Sequence, residues 1–263
     1  MFIGSLFGGR MLEKRRRIGL LLFGAALASA VVAPALAAGE FVASLYGGKA
    51  WVSNTDFTLR QPGGTDLTFK DVAWDDDSLE PPVYWGARLT WWLDGGQTRS
   101  AAGWGAALDF THAKATANLD QTVHVSGTRG GAAVNADEPL GNTFSTLAFS
   151  HGLNIFTVNA LYRWPTWSTG ELGEMRPYAG AGLGIVWPHV EVGTGGQTTS
   201  AYSVAGPAYQ GLAGLDFKVS ERWSVFIEYK LSRAEIKADI AGGGSVEFKP
   251  WLQNAVLGAA YRF

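Results

Sequence analysis

The chain has 263 residues, with no cysteine, 35 glycines, 11 tryptophans and a formal net charge of −2 at pH 7. A mildly acidic chain does not suit a nucleic-acid-binding protein, whose affinity comes largely from neutralising phosphates. The absence of cysteine excludes a disulfide framework, and no phosphate-binding loop or zinc-spaced set of cysteine and histidine occurs.

The first segment has the three parts of a secretory signal peptide. Residues 14–17 are basic, residues 18–32 are apolar, and Ala35-Leu36-Ala37 is a small-x-small cleavage site. A membrane anchor is the alternative, because the apolar stretch is nearly long enough to span a bilayer. The small residues and Pro34 favour cleavage. The sequence therefore predicts a signal peptide over residues 1–37 and an exported domain over residues 38–263.

The exported part alternates between apolar and other residues. In the stretch VYWGARLTWWL, Trp85 and Leu89 lie on one face, and Arg88 lies on the other. A period of two is typical of a β-strand with unlike faces. Eight such strands are predicted, over residues 40–52, 83–93, 104–115, 150–164, 176–189, 208–218, 223–234 and 251–263.

The connections between these strands alternate in length. Three are about 4 to 11 residues long, and the other four are about 16 to 34 residues long. Tryptophans collect at the strand ends, as the two aromatic girdles of a membrane barrel require. Those beside the short turns are Trp91, Trp92, Trp104, Trp164, Trp167 and Trp223, and those at the opposite ends are Trp51, Trp187 and Trp251. We therefore predict an all-β fold, an eight-stranded antiparallel transmembrane β-barrel of the outer membrane, monomeric, with short periplasmic turns and long extracellular loops.

The last predicted strand carries a lipid-facing set of side chains that includes Leu257, Tyr261 and Phe263. This strand must pair with the first, because lipid tolerates no open sheet edge. The pattern Gly258-x-x-Tyr261-x-Phe263 resembles the C-terminal signal read by the barrel-insertion machinery of outer membranes, although Val256 stands where a polar residue is usual. The resemblance implies that this machinery is a partner, through Tyr261 and Phe263.

The inward faces of the predicted strands carry charged residues. An eight-stranded barrel is too narrow for a channel, and side chains fill its interior. We interpret these residues as a structural network of ion pairs, with a proton or solute path as the alternative. They are Arg88, Asp109, Arg163, Asp216, Lys218, Glu228, Lys230 and Arg262.

Three histidines lie at the ends of adjacent predicted strands. His112 ends the third strand, His151 begins the fourth, and His189 ends the fifth, with Glu191 two residues further on. A chain that enters its first strand from the periplasm places all three at the outer rim, where neighbouring strands are about 4.8 Å apart. Imidazoles and a carboxylate suit iron or zinc, and histidine also serves as a general base. Ordinary rim residues are the alternative.

Two further polar features lie in the predicted loops. His124 is expected at the surface of a long loop. The stretch TDLTFKDVAWDDDSLEPP places Asp71, Glu80 and residues 75–77 around Trp74. Such an acidic run could bind Ca²⁺ or the divalent ions that bridge lipopolysaccharide phosphates, or it is a solvated loop tip.

Several stretches resemble known outer-membrane proteins. The segments RPYAGAGLG, AYQGLAGLDFKVS and WSVFIEYK resemble the OmpA-like eight-stranded barrels. Within that set, RQPGGTDLTFKDVAWDDDS, ALDFTHAKA, FSHGLNIFTVNALYRW, PHVEV and the closing YRF resemble the outer-membrane lipid A oxidases. The resemblance implies an oxygen-dependent enzyme that converts the proximal glucosamine of lipid A to an aminogluconate unit and releases hydrogen peroxide.

Two other functions stay open. A lipid A deacylase would use a serine and a histidine, and Ser150 and His151 are adjacent. Adjacent residues of a strand point to opposite faces, which makes them a poor pair. A non-enzymatic surface barrel that serves adhesion or envelope integrity is the other alternative, since a fold does not define a function.

Overall fold

The computed structural model describes residues 39–76, 78–93, 101–149, 151–168, 170 and 173–263, so the predicted signal peptide lies outside the described residues. One short 3₁₀-helix occupies Leu140–Asn142. Among the described residues, no helix is long and apolar enough to cross a membrane. The strands are β1 Glu40–Val52, β2 Thr55–Gln61, β3 Thr65–Val72, β4 Trp74–Asp75, β5 Trp85–Trp92, β6 Gly103–Ala113, β7 Thr116–Ala117, β8 Thr122–Arg129, β9 Ala132–Pro139, β10 Phe144–Ala148, β11 Leu153–Arg163, β12 Trp167–Ser168, β13 Glu174–Val186, β14 His189–Thr194, β15 Gln197–Tyr202, β16 Gly206–Lys218, β17 Trp223–Ala234, β18 Ile236–Ile240, β19 Gly244–Phe248 and β20 Trp251–Arg262.

Eight long strands close into an antiparallel barrel. The order around the barrel is β1, β5, β6, β11, β13, β16, β17 and β20, and β20 pairs with β1 to complete the ring. At this seam Tyr261 lies opposite Ala43, and Leu252 lies opposite Val52. All eight predicted strands are confirmed, with ends that differ by a few residues. Closure pairs the backbone groups of both edge strands, which a lipid environment requires.

The outer wall of the barrel is apolar, as the alternation predicts. On β20, Leu257 is 60% exposed, whereas its neighbour Val256 is 5% exposed and points into the lumen. Exposed tryptophans ring both ends of the wall. Trp104, Trp164, Trp167 and Trp223 lie at the short-turn end, and Trp51, Trp85, Trp187 and Trp251 lie at the other end. This continuous apolar band between two aromatic girdles matches a bilayer.

Trp92 does not belong to the girdle, which corrects the prediction. Its side chain is buried, and the Arg163 guanidinium lies 4.4 Å from the centre of its ring. The reason is the alternation itself, because Trp92 shares the inward face of β5 with Arg88.

The lumen is filled by the charged residues that the alternation places there. Arg88 donates to Glu228 at 2.6 Å and to Asp109 at 3.1 Å. Lys230, which is fully buried, donates to Asp109 at 2.7 Å. Near the periplasmic mouth, Arg262 donates to Asp216 at 2.8 Å. Each of these charges therefore has an opposite charge within hydrogen-bonding distance, which burial requires.

The long extracellular connections are themselves built from strands. One sheet has the order β18-β19-β2-β3-β8-β9, and the other has the order β15-β14-β10-β7-β4. We call these two sheets the cap. These strands correct the prediction that the stretches between the barrel strands are loops.

Aromatic side chains from both sheets pack together inside the cap. Phe57 and Phe248, from the six-stranded sheet, meet Trp74 and Phe144, from the five-stranded sheet. Ring centres lie 5.5 Å apart for Phe57 and Phe144 and 4.9 Å apart for Trp74 and Phe248. The two cap sheets thus share an aromatic core above the barrel, and the buried apolar residues of the cap and the barrel form one continuous cluster.

We expect replacement of Phe57 by alanine to open the cap without unfolding the barrel. Phe57 is fully buried, and removal of a buried phenylalanine costs about 3–5 kcal/mol. Limited proteolysis should cut the cap strands of this variant, while heat-dependent gel mobility still reports a folded barrel. Leu79→Ala, at a side chain that is 79% exposed, is the control. Equal protease resistance in both variants would contradict a packed core.

The acidic stretch is held against the protein at Asp76, by hydrogen bonds, and at Trp74, by burial. It does not form a solvated tip at these two residues. Trp74 is buried in the cap core. Lys49 donates to Asp76 at 2.9 Å, and the Ser78 hydroxyl donates to the same carboxylate at 2.6 Å. Partial burial opposes ionisation of Asp76, but these hydrogen bonds hold its pKa below the ordinary value. Asp77 lies outside the described residues.

Candidate metal centre at the outer rim

The predicted histidine site is built where β11 and β13 pass the outer end of the barrel. The backbone ladder of these strands continues beyond the barrel, because the amide of His189 donates to the carbonyl of Gly152 at 2.9 Å. His151 precedes Gly152, so this bond sets the two histidines side by side. On β14, His189 and Glu191 alternate with the buried Val190 and point outward.

His151, His189 and Glu191 converge on one point, and we call them the rim cluster. The Nδ1 atom of His151 lies 2.6 Å from Glu191 Oε1, and the Nδ1 atom of His189 lies 2.9 Å from the same oxygen. The two imidazole rings are 5.0 Å apart. Each residue has one potential ligand atom that lies within 4.8 Å of those of the other two. Among the described residues, this is the group of three that could hold a metal ion.

The donor set fits a transition metal. Two imidazoles and one carboxylate are the protein ligands of non-haem iron(II) sites that react with oxygen, and they also suit zinc. Histidine binds a metal through a neutral ring nitrogen, and a carboxylate offers the negative charge that a divalent ion needs. The partial exposure of His151, at 65% of its side chain, leaves one side of the cluster open.

His112 stands apart from the rim cluster. Its Nδ1 atom lies 2.8 Å from the Oδ1 atom of Asn154, and the side chain is 8% exposed. His112 packs against Gly152, the residue next to His151. A Cβ atom added to Gly152 would lie only 2.8 Å from His112 Cε1. The structure therefore groups three of the four predicted residues and gives the fourth a different partner, Asn154, which was not among the predicted site residues.

An arc of aromatic side chains on the outer wall leads to the rim cluster. Ring contacts of 4.6 to 6.1 Å join the members in turn and end at the ring of His189. We call these residues the aromatic arc: Trp85, Phe110, Phe156, Trp187 and Tyr202. The Tyr202 hydroxyl also donates to the His151 carbonyl at 2.9 Å. Trp85 and Tyr202 were missed, although the alternation places Trp85 on the outward face.

His124 lies on an exposed cap strand, as the sequence predicts. Its Nδ1 atom lies 2.7 Å from Asp137, and its Nε2 atom lies 3.0 Å from Asn135. The hydrogen bond to Asp137 raises the pKa of His124 above its ordinary value, and Asn135 adds to the effect. Neither partner belongs to the rim cluster, so His124 is a surface residue of the β8–β9 hairpin.

We expect the hairpin to respond to pH through this pair. A histidine whose pKa is raised by folding stabilises the folded hairpin below its unfolded pKa of about 6.5, and that contribution is lost as pH rises through the folded pKa. An NMR titration should place the midpoint of His124 above the ordinary value, and Asp137→Asn should bring it down. A midpoint that the substitution leaves unchanged would show that the contact does not form.

Three observations decide the class of the protein: a closed barrel of eight strands, an apolar outer wall and two tryptophan girdles. The protein is an eight-stranded outer-membrane β-barrel. No family model matches the chain, and no curated protein is significantly similar to it. Ser150, the serine of the deacylase alternative, lies outside the described residues.

The solved structures that are similar to this one include three at low sequence identity. Neisserial surface protein A is 11% identical, with 86% of this chain and 97% of that chain covered and a TM-score of 0.36. The outer membrane protein AlkL is 15% identical, with 86% and 90% covered and a TM-score of 0.37. Ail of Yersinia pestis is 15% identical, with 85% and 99% covered and a TM-score of 0.29. The class of the protein rests on the closed barrel itself.

Proposed function

We propose that the protein is a lipid A oxidase that converts the proximal glucosamine of lipid A to an aminogluconate unit with molecular oxygen and releases hydrogen peroxide. The observation that carries the proposal is the rim cluster on the outward wall. His189 lies two residues beyond the girdle residue Trp187. Girdles mark the lipid–water interface, which is the height at which lipid A carries its sugars in the outer leaflet.

The sequence resemblance supports the same residues. The stretches FSHGLNIFTVNALYRW and PHVEV, which resemble the lipid A oxidases, contain all three members of the rim cluster. The fold brings these two distant stretches into contact through the shared oxygen of Glu191.

The reaction defines what the site must do. The C1–OH group of the sugar loses its hydroxyl proton, and the C1 hydrogen leaves with the electron pair of its bond. Oxygen receives these two electrons and two protons and becomes hydrogen peroxide, and the sugar becomes a lactone. Water then opens the lactone to the acid, so the product gains one oxygen atom. The C1 hydroxyl must therefore be free.

Iron fits this chemistry better than zinc. The sequence carries no flavin or nicotinamide motif, and a redox metal held by His151, His189 and Glu191 would supply the reactivity toward oxygen that side chains lack. Zinc has no redox chemistry. The buried Val190 and Val192 hold β14 in place, so His189 and Glu191 keep their outward direction.

Mass spectrometry of lipid A tests the proposal. Lipid A from cells with and without the protein, grown in air, should differ by one oxygen on the proximal sugar, and cells grown without oxygen should show no difference. Loss of an acyl chain would indicate a deacylase. An unchanged spectrum with the barrel folded in the outer membrane would favour a non-enzymatic surface barrel.

Substrate should reach the rim cluster sideways from the bilayer, along the aromatic arc. An aromatic contact contributes about 0.5–1.5 kcal/mol, so Trp187→Leu should raise KM for lipid A about 5-fold with little change in kcat. Trp251→Leu is the matched control, because Trp251 is an equally exposed girdle residue on β20. Steady-state kinetics in lipid nanodiscs measure both variants. Equal effects of the two substitutions would show that Trp187 anchors the barrel in the bilayer and does not bind substrate.

We also propose that the barrel-insertion machinery binds the end of β20. The Tyr261 and Phe263 rings contact each other at 5.3 Å, and Phe263 is 78% exposed. In reconstituted insertion assays, Phe263→Ser should slow assembly of the folded barrel, whereas Phe263→Tyr should not.

A further inference from the structure

We infer that His112 accepts a hydrogen bond from the sugar hydroxyl at which oxidation begins, and that it is not a metal ligand. The inference rests on the proposed function, and it assigns a role to the predicted site residue that lies outside the rim cluster. It follows from the hydrogen bonds of Asn154, which determine the position of the proton on the His112 ring.

The orientation of the Asn154 amide is set by its second partner. Its Nδ2 atom lies 3.1 Å from the main-chain carbonyl oxygen of Trp187. A carbonyl oxygen only accepts hydrogen bonds, so the amino group of Asn154 must face it. The Oδ1 atom of Asn154 must then face His112, 2.8 Å from Nδ1. The chemistry of the partners therefore assigns the amide without reference to the coordinates of its hydrogens.

This orientation selects one tautomer of His112. Because Asn154 Oδ1 only accepts, the Nδ1 atom of His112 carries the proton and donates it. The ring is buried and contacts no carboxylate among the described residues. With the ring proton on Nδ1, the Nε2 atom of a neutral imidazole has a bare lone pair and is an acceptor.

The Nε2 atom is an acceptor that the folded chain does not use. It is buried and has no hydrogen-bond partner among the residues that the structure describes. A buried acceptor without a partner is costly, and native proteins retain such groups mainly where a ligand or reaction needs them. The free lone pair and the fixed tautomer together describe a base that is oriented before substrate binds.

The location matches a substrate group better than a metal. No nitrogen of His112 belongs to the set of ligand atoms that lie within 4.8 Å of one another in the rim cluster. Its ring packs between Gly152, beside His151, and Trp85, the first member of the aromatic arc, whose ring centre is 6.1 Å away. Trp85 is 42% exposed on the outer wall, so the aromatic arc begins beside the ring of His112.

In the reaction, the C1 hydroxyl proton passes to His112 Nε2 while the C1 hydrogen and its electron pair pass to oxygen. His112 then returns the proton, which completes hydrogen peroxide. The ring ends in its starting form, so the step needs no reactant other than the sugar and oxygen.

Three variants test the role. His112→Asn keeps an amide that can donate to Asn154 but has no group at the Nε2 position. It should lower the oxidation rate about 100-fold, as loss of a general base does, while the metal content stays that of the wild type. Asn154→Leu removes the acceptor that holds the proton on His112 Nδ1, and it should lower the oxidation rate about 10-fold. Asn154→Asp retains the acceptor and should recover most of the rate.

A direct readout does not depend on activity. The ¹⁵N spectrum of histidine-labelled protein in lipid nanodiscs should show His112 protonated at Nδ1 and unprotonated at Nε2, and Asn154→Leu should mix the two tautomers. A protonated Nε2 in the wild type would overturn the inference, and so would loss of metal from His112→Asn. If the wild type oxidises lipid A and His112→Asn oxidises it equally fast, only the role of His112 is refuted. If the wild type adds no oxygen to lipid A, the proposed function is refuted as well.

Discussion

Replacement of His189 by alanine is expected to abolish oxidation of lipid A and to release the bound metal. His189 and His151 share a single carboxylate oxygen of Glu191, so removal of one imidazole leaves two donors for a divalent ion. Loss of a residue that merely orients a metal ligand already lowers metal affinity or activity about 10–100-fold. Loss of a ligand should therefore lower activity at least about 100-fold. Lipid A mass spectrometry and metal analysis of the purified barrel measure both effects.

The chain provides a matched control for this experiment. His124 is a histidine of the cap that hydrogen-bonds to a carboxylate, as His189 does, but it lies outside the rim cluster. His124→Ala should retain metal and activity. Glu191→Gln, which keeps the shape of the side chain without its charge, should behave like His189→Ala. A Glu191→Gln variant with normal metal content and activity would rule out the rim cluster as the metal site.

Replacement of Asp109 by leucine is expected to be the most destabilising substitution in the lumen. The Asp109 carboxylate accepts hydrogen bonds from Lys230 at 2.7 Å, Arg88 at 3.1 Å, Tyr46 at 2.7 Å and Gln210 at 3.0 Å. Its removal leaves the fully buried Lys230 without its closest opposite charge. Removal of one partner of a buried pair costs about 3–5 kcal/mol. Urea unfolding of the barrel in micelles, followed by tryptophan fluorescence, measures the loss.

Two variants separate the cost of an unpaired charge from the cost of lost packing. In Asp109→Leu combined with Lys230→Met, both charges are gone, and we expect the double variant to be more stable than Asp109→Leu alone. Lys218→Ala, at the partly exposed periplasmic mouth, should change stability by less than about 1 kcal/mol. A double variant that is less stable than the single variant would show that Lys230 contributes through contacts other than its pair with Asp109.

The fold of the barrel could be predicted because its determinants are local in sequence. Alternation assigns each side chain of a strand to the wall or the lumen, and a one-residue slip would place charges such as Lys230 in lipid. The same rule places Trp92 in the lumen beside Arg88, and the girdle assignment of Trp92 was wrong because it used position along the strand without the face. The cap combines local hairpins such as β2–β3 with pairings between distant segments such as β19 and β2. The hairpins were wrongly interpreted as loops, and the distant pairings that join them into two sheets are not visible in any local pattern.

The sequence by itself determined that His189 and Glu191 point the same way, since residues two apart on a strand share a face. It also determined that the three rim histidines lie at one end of the barrel. Only the tertiary structure decided which of them meet. His151 joins Glu191 because the β11 and β13 ladder continues through Gly152, and His112 is held apart because its register partner on β11 is Asn154, whose amide takes its Nδ1 atom. Register between strands depends on pairing along their whole length, and no local pattern encodes the hydrogen bond to Asn154 that separates His112 from the rim cluster.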